Sequence, residues 1–169
     1  MTDIIMHGCN GHMGRVITDI VSKDPDCRIV AGIDPYMGVK NDYPVFPSIS
    51  ECDVKADVII DFAAAAAVDG LLSYSVEKQI PVVLCTTGLS SEQLDLVRES
   101  ACKVAVLKSA NMSLGINTLL KLLQDAAKVL VPAGFDVEIV EQHHNKKLDA
   151  PSGTALALAD SIKEVLGDD

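Results

Sequence analysis

The sequence predicts an α/β fold: a Rossmann-like parallel sheet with helices on both faces, followed by a smaller α+β domain. Three observations carry this. Through residue 110, short runs of Val, Ile and Ala alternate with stretches whose apolar residues recur at helical spacing. A glycine-rich turn, "HGCNGHMGR", stands between the first such run and the first helical stretch. After residue 110 the rhythm changes to one long amphipathic helix, a run of period two and a closing helix. Strand alternating with helix implies right-handed crossovers and a doubly wound sheet, whose ligands sit at the carboxyl ends of the strands.

Each element follows from its local pattern. "DIIMHG" (3–8) reads as a strand, and 11–23 as a helix with Met13, Val16, Ile17, Ile20 and Val21 on one face. "CRIVAGID" (27–34) is a strand, and a loop with Pro35, Pro44 and Pro47 follows it. "ADVIIDF" (56–62) is nearly continuous in apolar residues, as expected of a strand buried on both faces. Residues 63–79, opening with Ala63 to Ala67, predict a helix, since alanine has the best helix propensity. A strand at 81–86, a helix at 91–101 capped by Ser90 or Ser91, and a strand at 103–109 complete a dinucleotide-binding domain over 1–110. In 111–169, a helix over 112–130 has Asn111 and Ser113 as candidate N-caps. "FDVEIVEQ" (135–142) reads as a strand with one wet face, and a helix spans about 153–166. One strand makes no sheet, so this second domain is expected either to borrow a partner or to be incomplete at its C-terminus.

Composition bounds the chemistry. The chain has 169 residues, 49% of them apolar and 4% aromatic, with no Trp, so the core must be built from aliphatic side chains. A net charge of −10 argues against nucleic acid and against anionic lipid, both of which need a basic footprint. Any anion must therefore be held by a local device. Five scattered cysteines, never as C-x-x-C, predict reduced thiols and a cytoplasmic protein. With no charged-then-apolar leader and no 18-residue apolar run, neither secretion nor a membrane span is expected.

Two such devices are visible. In "HGCNGHMGR", Gly8, Gly11 and Gly14 permit a tight turn and close approach of a pyrophosphate to free amides at a helix N-terminus. Asn10 stands where the usual motif has glycine, and Asn tolerates left-handed geometry. Asp34 lies 20 residues beyond Gly14 at the end of the second strand, where a carboxylate accepts from a ribose 2′-hydroxyl. That carboxylate repels a 2′-phosphate and Pro35 follows it, so NADH is favoured; NADPH is the alternative, with Lys40 or His12 assisting. The second device is "EQHHNKKLDAPSGTAL" (141–156). Its bland reading is a solvated basic loop. A metal site is disfavoured, because adjacent histidines on an extended segment point to opposite faces, and no metal is expected. The third reading is anion binding with acid catalysis. Pro151, Ser152, Gly153 and Thr154 start a helix whose amides and hydroxyls suit a carboxylate, Lys146 or Lys147 adds charge, and a histidine delivers a proton. Cys85, in "LCTTG", invites a thiolate reading, but a structural or backbone role is preferred, since no histidine stands nearby in sequence.

These segments, "GCNGHMGR", "IIDF", "CTTG", "SANMSLGIN" and above all "EQHHNKKLDAPSGTAL", closely resemble the dihydrodipicolinate reductase family, in order along nearly the whole chain. The resemblance implies NAD(P)H-dependent reduction of 4-hydroxy-tetrahydrodipicolinate to tetrahydrodipicolinate, in the diaminopimelate–lysine pathway. It implies that Gly8, Cys9, Asn10, Gly11, His12 and Met13 contact the pyrophosphate and Asp34 the adenosine ribose. Phe62 also falls in the cofactor site, and Cys85, Thr86, Thr87, Ser109, Ala110, Asn111 and Met112 surround the nicotinamide. His143 takes the family's proton donor/acceptor position and Lys147 its second proton donor. His144, Ser152, Gly153, Thr154 and Thr87 would hold the carboxylates of a small dicarboxylate. Two departures stand out. Pure alanine at 63–67 replaces a stretch where the family places Ser or Thr. The family also runs tens of residues longer, completing a substrate-domain sheet through which a homotetramer forms. Two alternatives stay open: an amino-acid or semialdehyde dehydrogenase on the same fold, and an inactive nucleotide-binding fragment.

Overall fold

The computed structural model describes residues 1–143 and 150–167 of the chain. It divides into two units, Met1–Ser109 and Ala110–Asp169. The first contains strands β1 (Thr2–His7), β2 (Cys27–Ile33), β3 (Val45–Phe46), β4 (Val58–Asp61), β5 (Val82–Leu84) and β6 (Val106–Lys108). Its helices are α1 (His12–Val21), α2 (Val68–Lys78) and α3 (Ser91–Ala101). All six strands are parallel, in the order β3-β2-β1-β4-β5-β6. The chain winds outward from β1 to β3, then returns to place β4 on β1's other side. The carboxyl ends of β1 and β4 therefore flank the switch point of a Rossmann sheet, where a ligand crevice forms.

Aliphatic side chains fill the core, as the shortage of aromatics requires. Ile5, Ile33, Ile59, Val82 and Leu84 from the strands pack with Val68, Leu71 and Leu72 of α2 and Val97 of α3, all buried. Each such side chain contributes about 1.5–3 kcal/mol on removal from water. Helix α3 begins at a capping box, where Ser90 accepts from the Gln93 amide and Gln93 reaches back to the Ser90 amide.

The fold departs from the periodicity in three places. The proline-rich loop contains β3, whose two residues sit between Pro44 and Pro47. Pro44 supplies only a carbonyl, which accepts from Gly32, and an edge strand tolerates a residue that cannot donate. The alanine run does not start a helix. Ala64 is extended, Ala65–Ala67 form one 3-10 turn, and α2 begins at Val68. Tertiary bonds overrule propensity here: Asp61 holds the Ala63 amide, and Gln93 donates to the Ala65 carbonyl. The third departure is at 135–142, which forms no strand; without a ladder partner among the described residues, period-two patterning alone does not make one.

The second unit holds α4 (Leu114–Leu130) and α5 (Gly153–Leu166). Ser161 donates to the Leu120 carbonyl and Gln124 to Glu164, so contacts step forward together and the two helices run parallel. A parallel pair needs a long return connection, which 131–152 provides. No helix among the described residues is long and apolar enough to cross a membrane.

Candidate functional site

The glycine turn after β1 is built by steric exclusion. Gly8 has φ +81, and a Cβ there would lie 2.7 Å from the Phe62 carbonyl oxygen. A Cβ on Gly14 would fall 2.2 Å from the Gly8 oxygen and 2.7 Å from the Cys9 backbone. Real side chains cannot occupy either position without moving backbone. The Gly8 amide donates to Ile33 at 2.8 Å and the Phe62 amide to His7 at 3.0 Å, so β2 and β4 clamp the turn from both sides. Gly11 precedes α1 and caps it with no side chain, which leaves the first-turn amides to a ligand. Cys9 is buried beneath the turn, where burial and the Asp34 carboxylate push its thiol up to about 11. His12 and Met13 are exposed on the first turn.

Asp34 follows β2 and is buried. One carboxylate oxygen accepts from the Asn10 amide at 3.0 Å and the other from the Tyr36 amide at 2.9 Å. Each oxygen keeps a further lone pair for a hydroxyl. Asn10 is not left-handed; among the described residues only Gln79 has positive φ without being glycine. Its side chain instead donates to the Tyr36 carbonyl and accepts from Asn41 at 2.9 Å, tying the turn to the loop after β2. Here a side-chain amide does what the missing glycine's freedom does elsewhere.

A cavity of about 540 Å³ opens over these groups. Its walls include Gly8, Gly11, Asp34, Pro35, Phe62 and the alanines 63, 64, 66 and 67, and among the described residues no lysine or arginine lines it. A space floored by backbone too tight for a Cβ at Gly8 or Gly14, walled largely by apolar residues and bearing the Asp34 carboxylate, has room for part of a dinucleotide. The alanine run itself brings no hydroxyl to this wall.

Beside the cavity stands a buried polar cluster for which no role follows from the sequence. Asp61, fully buried at the end of β4, lies 2.6 Å from His7 Nδ1 and accepts from the Thr86 hydroxyl at 2.6 Å and the Ala63 amide at 3.2 Å. The available signal was a polar residue closing two otherwise apolar strands, "IIMH" and "VIID". Cys85 is buried next to it, and burial, reinforced by the Asp61 carboxylate, pushes its thiol up to about 11. Such a thiol is uncharged at neutral pH and is no nucleophile. Thr87 is exposed, and the Ser109 amide donates to the Leu84 carbonyl at 3.0 Å, placing both at the carboxyl ends of β5 and β6.

In the second unit the predicted residues gather at the start of α5. Ser152, buried, caps the helix by accepting from the Ala155 amide at 3.0 Å, while its own amide donates to Glu141 at 2.8 Å. The other Glu141 oxygen lies 3.5 Å from His143 Nδ1. Glu141, unremarked in the sequence, thus joins the histidine to the helix start. Gly153 and Thr154 form the first turn, and Asn111 donates to the Thr154 hydroxyl at 3.4 Å. Asn111 also accepts from the Ser113 amide at 2.8 Å, and Ser113 caps α4. Ala110 and Met112 flank it, exposed. His144, Lys146 and Lys147 lie outside the described residues. No group of three or more His, Cys, Asp or Glu converges on a metal site among the described residues.

Comparison with known proteins agrees with this arrangement. The family model for the N-terminus of dihydrodipicolinate reductase matches residues 2–112, and that for its C-terminus matches 115–168. The chain is 49% identical to 4-hydroxy-tetrahydrodipicolinate reductase of Clostridium novyi (strain NT), over 100% of this chain and 67% of that protein. The enzyme of the same name from Caldanaerobacter subterraneus subsp. tengcongensis is 48% identical, over 98% of this chain and 65% of its own length. Among solved structures, the dipicolinate-bound dihydrodipicolinate reductase from Paenisporosarcina sp. TG-14 superposes with a TM-score of 0.77 at 28% identity, covering 100% of this chain and 68% of that one. The chain thus spans about two thirds of the length of these relatives.

Proposed function

The chain belongs to the dihydrodipicolinate reductase family, and we propose that it carries the dinucleotide site and the proton-donating site for NADH-dependent reduction of 4-hydroxy-tetrahydrodipicolinate to tetrahydrodipicolinate. The observation that carries this is the turn at 8–14: it excludes every side chain at Gly8 and Gly14 and faces a cavity at the sheet's switch point. Bound there, the dinucleotide supplies a hydride. Gly8, Cys9, Asn10 and Gly11, whose amides are engaged within the turn, shape the surface that meets its pyrophosphate, and the first-turn amides of His12 and Met13 donate to it. Asp34 takes its adenosine ribose, and Phe62, Cys85 to Thr87 and Ser109 to Met112 its remaining length. We prefer NADH because, among the described residues, the cavity wall presents the Asp34 carboxylate and no lysine or arginine to a 2′-phosphate.

The substrate's two carboxylates are anchored by His144, Ser152, Gly153 and Thr154, with Thr87. The α5 N-terminus suits this because its amides are aligned and its positive dipole end favours an anion. Hydride addition to a conjugated imine leaves negative charge on the ring. His143 meets it as proton donor and Lys147 as a second donor and a cation. We infer a cytoplasmic protein from the reduced, scattered cysteines, and a homotetramer is the assembly the family resemblance favours.

The test is NADH consumption by the full chain on freshly generated substrate. Substrate-dependent oxidation is the expected result. Cofactor binding without turnover would instead favour a nucleotide-binding module, and a strong preference for NADPH would overturn the reading of Asp34.

A further inference from the structure

We infer that His7 is a positioning residue for the dinucleotide site, acting through Asp61. This rests on the cofactor reading above and goes beyond it, because His7 makes no part of the glycine motif. His7 ends β1, Asp61 ends β4, and the two are register partners across adjacent parallel strands at the switch point. His7 is 5% exposed and Asp61 0%.

The proton on the imidazole is assigned by its neighbours. One Asp61 oxygen accepts from the Ala63 amide, and the other lies 2.6 Å from the Thr86 hydroxyl, which also lies 3.0 Å from the Ala63 carbonyl. The carboxylate's third neighbour is His7 Nδ1 at 2.6 Å, which we assign as the hydrogen-bearing nitrogen that donates to Asp61. A buried carboxylate with three donors is well satisfied; with two it keeps a desolvated lone pair facing the gap.

The consequence reaches the cofactor floor through a short chain of bonds. Asp61 holds the Ala63 amide, which fixes the Phe62–Ala63 peptide. The Phe62 carbonyl is the atom that a Cβ on Gly8 would meet at 2.7 Å, and Gly8 directly follows His7. Both edges of the turn that receives the pyrophosphate are thus referred to one carboxylate. Thr86, held by the same carboxylate, sets the end of β5. His7 and Ala63 both line the cavity.

The experiment is an NADH titration of the full chain by fluorescence, with a thermal melt of each variant to confirm folding. His7→Leu fills the space without a donor. His7→Asn returns a carboxamide N–H near the place of Nδ1. We expect His7→Leu to bind NADH about tenfold more weakly, the scale of one lost hydrogen bond to a charged group, and His7→Asn to recover most of that. A folded His7→Leu chain that binds as tightly as wild type overturns the inference, as does a His7→Asn chain as weak as His7→Leu. Should His7→Leu fail to fold, Asp61→Asn tests the same link: weaker binding supports it, and unchanged binding overturns it. A wild-type chain that binds neither NADH nor NADPH defeats the cofactor reading itself, and this inference with it.

Discussion

The two units build their proposed anion sites by different means. In Met1–Ser109 the receiving surface is backbone, shaped by what cannot fit: no side chain at Gly8 or Gly14, strand amides on either side, and a buried carboxylate behind. In Ala110–Asp169 it is a helix start shaped by side chains, with Ser152 as cap, Glu141 on the Ser152 amide and Asn111 on Thr154. The lesson is one of tolerance. A site made by exclusion fails at a single added methyl, whereas a site made by caps weakens by one hydrogen bond at a time.

The largest effect should therefore come from Gly14→Ala. Its Cβ would overlap backbone on two sides, so a cost of about 3 kcal/mol or more is expected, at the upper end for overpacking. Urea denaturation measures it, and a loss under 1 kcal/mol would mean that the turn yields easily. Next comes His143→Ala, expected to slow turnover about a hundredfold, the scale of a lost general acid, while NADH affinity stays at the wild-type value. A parallel fall in affinity would erase the division between the units. Ser152→Ala should cost only about 1 kcal/mol, the usual worth of an N-cap, with a rise in the KM for substrate read from initial rates. Smallest, and opposite in sign, is Gln79→Gly. Gln79 ends α2 at φ 55, and glycine there should raise stability by about 0.5–1 kcal/mol. A lower melting temperature would show that the Gln79 side chain's bond to the Val76 carbonyl outweighs the strain.

Much of the first unit was legible because its signals are local. The strand–turn–helix of 3–23 and the acid at Asp34 follow from spacing and residue type alone, and α3 from its serine N-cap. What escaped was decided by distant partners. Ala63 to Ala67 look helical until Asp61 and Gln93 claim their backbone. β3 hides between two prolines because only its register with β2 makes it a strand. The His7–Asp61 pair joins residues 54 apart, so neither residue's neighbours announce it. In the second unit, the Ser152 cap could be anticipated from "PSGT", but the bond from Ser152 to Glu141 spans 11 residues and could not. The period-two run at 135–142 shows the converse error, a pattern for which the described residues offer no partner strand.

We propose that the first unit receives the dinucleotide on its backbone. Amide hydrogen exchange of the full chain with and without saturating NADH tests it most directly. Protection should appear in peptides covering 8–14 and 61–67, slowed most at the first-turn amides of α1. Exchange there that is unchanged by NADH, or protection confined to peptides beyond residue 110, would contradict the account.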